Sequence, residues 1–287
     1  MKRTNFHSHK DLTATFKISD AHFLELKNKV LEYLAASCHE SFNSGLYRDS
    51  QNTLSHVATK AKNISTSGIV IPKSHSADSF TAVHKVLSAI LTDSGLGSEV
   101  DYWIYPFNVR LKGSQAGAAT ASYPTEMPHS ETWVGCSLRS VLLHIPLMGD
   151  VENNSLKVWR PDSAMDEPWL RPLKDYREAS EIIKNSAEVL LTEHKQRMIL
   201  VDSGLLHGTH RNANAGARLS IDLNVVMKSY DVFPDDWNLL APRQKMTSEE
   251  FFDIGHGRKI TSPDGDDDIF VATDGMRHPA NIKVLKA

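Results

Sequence analysis

Two short stretches of the sequence carry side chains that could bind a metal ion. The first, PHSETW at residues 128 to 133, places His129 two residues before Glu131. Side chains at i and i+2 of a β-strand project to the same side, so we expect this imidazole and this carboxylate to lie side by side. A lone HxE pair arises often by chance and is also typical of an ordinary polar strand end. It predicts a metal site only together with a further ligand.

The second stretch, LLHGTHRNANAGARLS at residues 205 to 220, offers that further ligand. His207 follows an apolar run and precedes Gly208, where we expect a turn that directs the imidazole inward. His210 is the alternative ligand. Two histidines and one carboxylate on one face of a metal leave the opposite face open, which suits an Fe(II) ion that must bind a co-substrate and O₂ together. The candidate ligand set is therefore His129, Glu131 and His207, with His210 still open as the third ligand.

Arg218 begins an alternating apolar and polar run, Leu219 to Met227, eleven residues after the predicted histidine ligand of this stretch. Its guanidinium could bind a carboxylate through two parallel hydrogen bonds, and Ser220 on the same face could donate a third. A buried guanidinium without an anion is costly, so the pattern favours an acidic ligand here. The alternative is a structural salt bridge between Arg218 and Asp202 or Asp222.

The segment from Glu99 to Lys112 is rich in aromatic and β-branched residues and alternates as a β-strand does. Asn108 and Arg110 share one face of this strand, so either could contact a ligand in the cavity. We expect Arg110, Tyr105 and Trp133 to contact the substrate, although an aromatic side chain in a β core more often only packs. The further candidates are Tyr102, Trp103 and Trp159.

Patterns in the rest of the sequence predict the helices and strands that position the candidate site residues. Apolar side chains recur at helical spacing over residues 20 to 36, after a serine N-cap, and again over residues 78 to 95, where Asp78 is the expected N-cap. Residues 1 to 18 are expected to form an irregular arm or an edge strand, and residues 40 to 66 mostly a loop.

From residue 99 the pattern changes to short strands that are separated by Gly, Asn and Pro turns. A polar insert interrupts them, with a short helix expected from Asp175 to Lys184. About eight strands after two helices predict a mainly β fold with flanking helices, an antiparallel jelly roll or double-stranded β-helix. The expected strands lie near residues 99–112, 129–135, 139–147, 155–160, 187–191, 196–201 and 218–227.

We expect one domain with three parts. Residues 1–98 would form a helical support region packed on the core, residues 99–228 the jelly-roll core, and residues 229–287 a loop-rich extension that covers the site. The small-residue loop over residues 113 to 123 is a second candidate cover. The acidic cluster Asp264 to Asp268 lacks the twelfth-position ligand of an EF-hand, which favours a surface turn.

Composition argues against several classes of protein. A formal net charge of −3 gives no reason to expect nucleic acid or an anionic membrane as partner. Two cysteines without CxxC spacing fit a reduced compartment, and no run approaches the ~20 apolar residues of a membrane span. We therefore expect a cytoplasmic protein, a monomer or homodimer, whose partner is a small-molecule substrate.

Taken together, the motifs resemble those of Fe(II)/2-oxoglutarate-dependent oxygenases, in particular the phytanoyl-CoA dioxygenase-like branch. That branch has HxD/E followed far downstream by an HGS…N…S…R stretch, which stands here as His207-Gly208-Thr209, Asn212, Asn214 and Arg218. The interval between histidine and arginine favours His207 over His210. There are two departures, Glu131 in place of the commoner Asp and His210 at a position usually filled by a small residue. The resemblance covers roughly residues 100 to 227.

The resemblance implies that Fe(II), 2-oxoglutarate and O₂ are the cofactor and co-substrates. Iron would be held by the predicted ligand set, and the distal carboxylate of 2-oxoglutarate by Arg218 and Ser220, with Asn108 at its keto-acid end. Oxidative decarboxylation to succinate and CO₂ would drive hydroxylation or another oxidation at a C–H bond of a small polar metabolite. Sugar, aminoglycoside and other natural-product pathways are the candidate settings.

Two other classes stay open on the sequence alone. A cupin-like metal-dependent isomerase or epimerase could use the same three ligands, with Arg218 holding the carboxylate of its substrate. A non-catalytic jelly-roll protein could keep the pocket only to bind a ligand, although such a protein needs neither a complete metal triad nor the arginine.

Overall fold

Two antiparallel sheets enclose a pocket between them. The computed structural model describes residues 13–65, 67–113, 126–161, 167–189, 191, 196–228, 244–261, 270–273, 276–279 and 283–286. The strands are β1 (Thr13–Lys17), β2 (Ile69–Val70), β3 (Val100–Lys112), β4 (Ser140–Gly149), β5 (Asn154–Pro161), β6 (Ser186–Val189), β7 (Arg197–Asp202), β8 (Leu206–Arg211), β9 (Arg218–Met227), β10 (Gln244–Met246), β11 (Arg258–Thr261), β12 (Phe270–Thr273), β13 (Met276–Pro279) and β14 (Lys283–Lys286).

The large sheet has seven strands in the order β1-β7-β4-β9-β3-β10, and β2 pairs with β3 outside that path. The small sheet has the order β6-β5-β8. Along the chain, β3 and β4 belong to the large sheet, β5 and β6 to the small sheet, β7 to the large, β8 to the small and β9 to the large. Between β3 and β4 the chain also crosses to the small-sheet side, where His129 pairs with His207 of β8, and this is the winding of a double-stranded β-helix. The predicted jelly-roll fold is confirmed. Two short pairs, β11 with β14 and β12 with β13, lie outside these sheets.

Strand β9 shows how one sequence pattern serves both faces of the large sheet. Leu219, Ile221 and Leu223 belong to a core that they share with the helices, and each is at most 2% exposed. Because strand side chains alternate, Ser220 and Asp222 project to the opposite face, towards the small sheet. Burying each large apolar side chain contributes roughly 1.5–3 kcal/mol, so the helix side of this strand anchors the fold.

Two long helices cover the outer face of the large sheet. The chain forms α1 (Asp20–Ser37), α2 (Gln51–Lys60), α3 (Ala77–Asp93), α4 (Glu167–Leu170), α5 (Ser180–Lys184) and α6 (Ser248–Asp253). Ser19 accepts a hydrogen bond from the His22 amide at the start of α1, as the sequence predicts. Both predicted helices are confirmed, although Ser76, and not Asp78, occupies the N-cap position of α3. No helix in the described ranges is long and apolar enough to cross a membrane.

Helix α2 lies where the sequence predicts a loop. Ser50 accepts a hydrogen bond from the Thr53 amide, and the fully buried Leu54 and Val57 join the helix-side core. The segment is mostly polar and offers too few apolar side chains for a helical period. Its helical conformation therefore depends on tertiary packing, which outweighs a weak local preference. The predicted helix from Asp175 to Lys184 is in fact a 3₁₀ turn, Tyr176–Ala179, followed by α5.

Residues 244–261 of the C-terminal extension pack away from the pocket. Strand β10 pairs with β3, and α6 inserts Phe251 between Trp103 and His84 on the helix side of the large sheet. The predicted cover is therefore wrong for residues 244–261, because their apolar side chains join the opposite core. Residues 114–123, residues 229–243 and the cluster Asp264 to Asp268 lie outside the described residues.

His84 of α3 joins α6 to the core. Its side chain is fully buried, and its Nε2 lies 2.7 Å from the carbonyl oxygen of Phe251. Burial lowers the pKa of His84 to about 4, although the hydrogen bond to Phe251 partly opposes this shift. The imidazole is therefore neutral at pH 7 and donates to the carbonyl.

Acidification should destabilise the protein through His84. The pKa of His84 in the folded state lies below the ~6.5 of an unfolded chain. The neutral imidazole therefore stabilises the folded protein fully above pH ~6.5, and this contribution is lost as the pH falls towards 4. The expected loss is about 1.4 kcal/mol per pH unit in that window. Urea unfolding at pH 7 and pH 5 should show a smaller difference for His84→Gln than for the wild type.

The exposed His256 provides the matched control. His256→Gln should keep the wild-type dependence on pH. If the free energy of unfolding changes equally between pH 7 and pH 5 in the wild type and in His84→Gln, the predicted role of His84 is wrong.

Candidate metal centre

A backbone bridge joins the two predicted histidine ligands. The His129 amide donates to the His207 carbonyl at 2.9 Å, and the His207 amide donates back at 2.8 Å. His207 lies within strand β8, so the predicted turn at Gly208 is wrong. Gly208 is needed for another reason: a Cβ atom there would lie 2.9 Å from the carbonyl oxygen of Met127. Glycine lets the two segments approach closely enough to pair.

Glu131 reaches the site by a turn and not by the alternation of a strand. The predicted strand near residues 129–135 is only the bridge at His129, followed by a 3₁₀ helix, Glu131–Val134. Ser130 accepts a hydrogen bond from the Thr132 amide, and its hydroxyl donates to the Ser203 carbonyl at 2.8 Å. The Glu131 amide donates to the same carbonyl at 3.0 Å. These contacts fix the turn that carries the carboxylate.

The three side chains meet in one group. Ligand atoms of His129, Glu131 and His207 lie within 4.8 Å of one another. His129 Nδ1 lies 2.7 Å from the Met127 carbonyl oxygen, and His207 Nδ1 lies 3.0 Å from that of Leu205. A carbonyl oxygen can only accept, so each Nδ1 carries a proton and Nε2 is the ring atom left to bind a metal. This is the tautomer that binds a metal through Nε2.

Burial keeps the first histidine neutral. Its burial, with the neighbouring His207 as the next cause, lowers the pKa of His129 to about 3. Tyr176 stacks on the His129 ring, with ring centroids 4.7 Å apart and planes 12° from parallel. Cys136 Sγ lies 3.5 Å from Glu131 Oε2, whereas His207 Nε2 lies 3.4 Å from the other oxygen, Oε1. Neither neighbour was found by sequence reasoning, because neither belongs to the spacing of the motif.

The metal group opens into a pocket between the two sheets. The pocket has an empty volume of about 410 Å³, open solvent at its mouth included. Strand β8 of the small sheet supplies His207, and the segment from His129 to Glu131 supplies the other two predicted ligands. The large sheet supplies a facing set of charged and polar side chains. The lining residues are Arg110, His129, Glu131, Leu142, His144, Leu156, His207, Gly208, Thr209, Arg218 and Asp222.

Arg218 and Ser220 lie on the pocket face of β9. Arg218 is 2% exposed and lines the pocket. Ser220 lies between Arg218 and Asp222 on the same face, and its fully buried Oγ has no hydrogen-bond partner among the described residues. A buried hydroxyl usually finds a partner, so this atom is suited to a ligand oxygen. Asp222 forms an ion pair with Arg110, and Asp202 Oδ1 accepts from the Gly204 amide.

A polar turn network sets the interval between the histidine and the arginine. The Asn212 side chain donates to Asn153 Oδ1 at 2.9 Å, and Asp150 accepts from the Gly216 amide at 2.8 Å. Asn154 donates to the Gly216 carbonyl at 3.0 Å. These contacts tie the loop between β8 and β9 to the turn between β4 and β5. The metal ligand on β8 and Arg218 are therefore held in fixed positions.

The sequence analysis named Arg110 but did not predict the charged cluster that it forms with Asp222 and His144. Arg110 Nε lies 2.6 Å from Asp222 Oδ2, and His144 Nδ1 lies 2.6 Å from Asp222 Oδ1. Burial disfavours the Asp222 carboxylate, but Arg110 and His144 outweigh burial and hold the pKa of Asp222 below its usual range. The available signal was the alternation of strands, which puts Asp222 on the face of Arg218.

Several predicted ligand contacts are not made. Tyr105 is fully buried on the helix side, where its ring contacts those of His84 and Phe251, so it cannot contact a substrate in the pocket. Trp133 is also fully buried, and its indole donates to the Trp169 carbonyl. Other predicted side chains also fall outside the lining: Trp103 packs in the helix-side core, Trp159 packs on a second core around Trp133, and Tyr102 lies under the Lys245 ammonium. Asn108 is buried opposite Asp222, and its Oδ1 has no hydrogen-bond partner among the described residues, so its contact with the keto-acid end stays a prediction.

No protein-family model and no curated protein sequence matches the chain. Among solved structures, AviO1 from Streptomyces viridochromogenes Tue57 is 17% identical with a TM-score of 0.44, over 77% of this chain and 92% of that one. The non-heme alpha ketoglutarate dependent epimerase SnoN from nogalamycin biosynthesis is 12% identical with a TM-score of 0.44, over 76% and 78% of the chains. EctD from S. alaskensis with 2-oxoglutarate and 5-hydroxyectoine is 14% identical with a TM-score of 0.40, over 79% and 78%. Likenesses this low establish neither a family nor an activity, and the fold is assigned from the strand order.

Metal binding should depend on His207 and not on His210. His210 projects from the other side of β8, and its Nε2 lies 3.1 Å from Asn212 Oδ1. His207→Ala should weaken Co(II) or Zn(II) binding on the order of 100-fold, since loss of even an outer partner of a ligand costs 10- to 100-fold. His210→Ala is the matched control and should bind the metal as the wild type does. Loss of metal only in His210→Ala would contradict the ligand assignment.

Proposed function

We propose that the protein is an Fe(II)- and 2-oxoglutarate-dependent oxygenase that oxidises a C–H bond of a small polar substrate. The observation that carries this proposal is the ligand group itself. Two imidazoles and one carboxylate converge within 4.8 Å, and they face the same pocket as Arg218. A metal held on one side by these three groups keeps positions open towards the pocket, which suits Fe(II).

The donor set fits a resident Fe(II) ion. His129 and His207 would each supply Nε2, and Glu131 would supply one carboxylate oxygen. The carbonyls of Met127 and Leu205 hold the two rings in the required tautomer. Bound Fe(II) would supply O₂ activation that is coupled to decarboxylation of an oxo acid and to oxidation of the substrate.

Arg218 and Ser220 support 2-oxoglutarate as the co-substrate. A planar guanidinium binds a carboxylate through two parallel hydrogen bonds, and the Ser220 hydroxyl beside it could donate another. A diacid with a 2-oxo group at one end can reach the metal with that end and Arg218 with the other. The chain would thereby orient the co-substrate before the substrate reacts.

The remaining lining supports a small polar substrate. Leu142 and Leu156 give the pocket apolar walls that limit water, whereas Thr209 and His144 add polar groups.

The assignments to the cytoplasm and to a monomer or homodimer stay predictions. The isomerase and ligand-binding alternatives would use the same pocket, and they differ from the oxygenase in forming no succinate.

Anaerobic addition of Fe(II) and 2-oxoglutarate should give a weak charge-transfer band in the visible spectrum. His207→Ala should abolish the band because it removes a metal ligand, and His210→Ala should retain it. Admission of O₂ should then yield succinate in the wild type and not in His207→Ala.

Absence of both the band and succinate would contradict the proposed function. A band without succinate would instead favour a protein that binds the oxo acid and does not oxidise with it.

A further inference from the structure

Arg110, Asp222 and His144 form a connected cluster on the large-sheet wall of the pocket. They come from β3, β9 and β4, and all three line the pocket. Each oxygen of the Asp222 carboxylate has one of these partners, with Arg110 Nε at 2.6 Å and His144 Nδ1 at 2.6 Å. Two contacts on different oxygens fix the carboxylate, and its ion pair with Nε holds the Arg110 side chain beside it.

The register of the strands puts Arg110 between the two ends of the proposed 2-oxoglutarate site. Arg110 lies directly opposite Ser220 of β9, whose neighbours on the same face are Arg218 and Asp222. Arg110, Arg218 and the three metal-binding side chains line one pocket, so an oxo diacid that reached from Arg218 to the metal would lie beside Arg110.

The guanidinium of Arg110 still has donors to offer. Its closest contact is the ion pair of Nε with Asp222 Oδ2, and no described residue accepts a hydrogen bond from its guanidinium. The side chain is 15% exposed, so its nitrogens face a pocket that a ligand can enter. Five N–H donors in a rigid plane suit a carboxylate better than they suit a single hydroxyl.

We propose that Arg110 binds the metal-chelating carboxylate of the oxo acid, and that Asp222 and His144 are positioning residues that fix its guanidinium. This inference rests on the proposed function and extends it. The co-substrate would then lie between two arginines, Arg218 at its distal carboxylate and Arg110 at its oxo-acid end. Arg110 would then bind the co-substrate. The sequence analysis had instead assigned it to the substrate.

Two ligands separate the two ends of the site. 2-Oxopentanoate keeps the oxo-acid end of 2-oxoglutarate and carries a methyl group in place of the distal carboxylate. Calorimetry on Zn(II)-loaded protein measures the binding of both ligands without turnover. Arg110→Gln should weaken both ligands by about 10- to 100-fold, the range expected for a charged hydrogen bond. Arg218→Leu should weaken 2-oxoglutarate by a similar factor and leave 2-oxopentanoate unchanged.

The positioning role has its own test. Asp222→Asn should weaken both ligands, and it should weaken them no further in a protein that already carries Arg110→Gln, because Asp222 acts through Arg110. His144→Gln, which can still donate to Asp222, should have a smaller effect. Arg110→Lys keeps the charge and should recover part of the affinity, which covers the case in which Arg110→Gln folds poorly.

Arg139 provides a matched control, because it pairs with Asp101 at 2.9 Å on the surface. Arg139→Gln should bind both ligands as the wild type does. The inference is overturned if Arg110→Gln weakens 2-oxoglutarate alone, if it weakens neither ligand, or if wild-type protein binds 2-oxoglutarate but not 2-oxopentanoate at millimolar concentration. In all these cases the proposed function stands. Failure of the wild type to bind 2-oxoglutarate overturns both.

Discussion

The backbone pairing between His129 and His207 is the contact on which the rest of the site depends. Two peptide hydrogen bonds bring both imidazoles to the same level of adjacent segments, and each ring then donates Nδ1–H to the carbonyl two residues before it. The orientation and the tautomer of both rings are thus set by the path of the main chain. Such a site sits on rigid elements, which holds ligand geometry more tightly than a loop does.

The large sheet separates stability from chemistry by the alternation of its strands. The helix-side face of β9 is apolar and shares its core with α1 and α3, whereas the pocket-side face carries Arg218, Ser220 and Asp222. A buried ion pair such as that of Arg110 and Asp222 is weak evidence for stability, because desolvation offsets much of its attraction. These charges are better explained by a ligand in the pocket than by the needs of folding.

Most of the correct predictions came from local properties of the sequence, namely the periodicity of apolar residues and the spacing of the motif residues. The recurrence of apolar residues predicted α1 and α3, and alternation from residue 99 onwards predicted the jelly roll. The interval between His207 and Arg218 selected one histidine of two, and the structure accounts for that interval by a loop pinned through Asp150 and Asn212.

The sequence by itself determined which residue types could form the site, together with the fold that would hold them. Only the tertiary structure decided which face each side chain occupies. Tyr105, Phe107 and Val109 alternate onto one face of β3, and only the packing against the helices shows that this face lies away from the pocket. Likewise, a 3₁₀ turn and not a strand delivers Glu131. The partnership of Asp222 with His144 joins neighbouring strands whose pairing is fixed by long-range hydrogen bonds, and a local pattern does not contain that information.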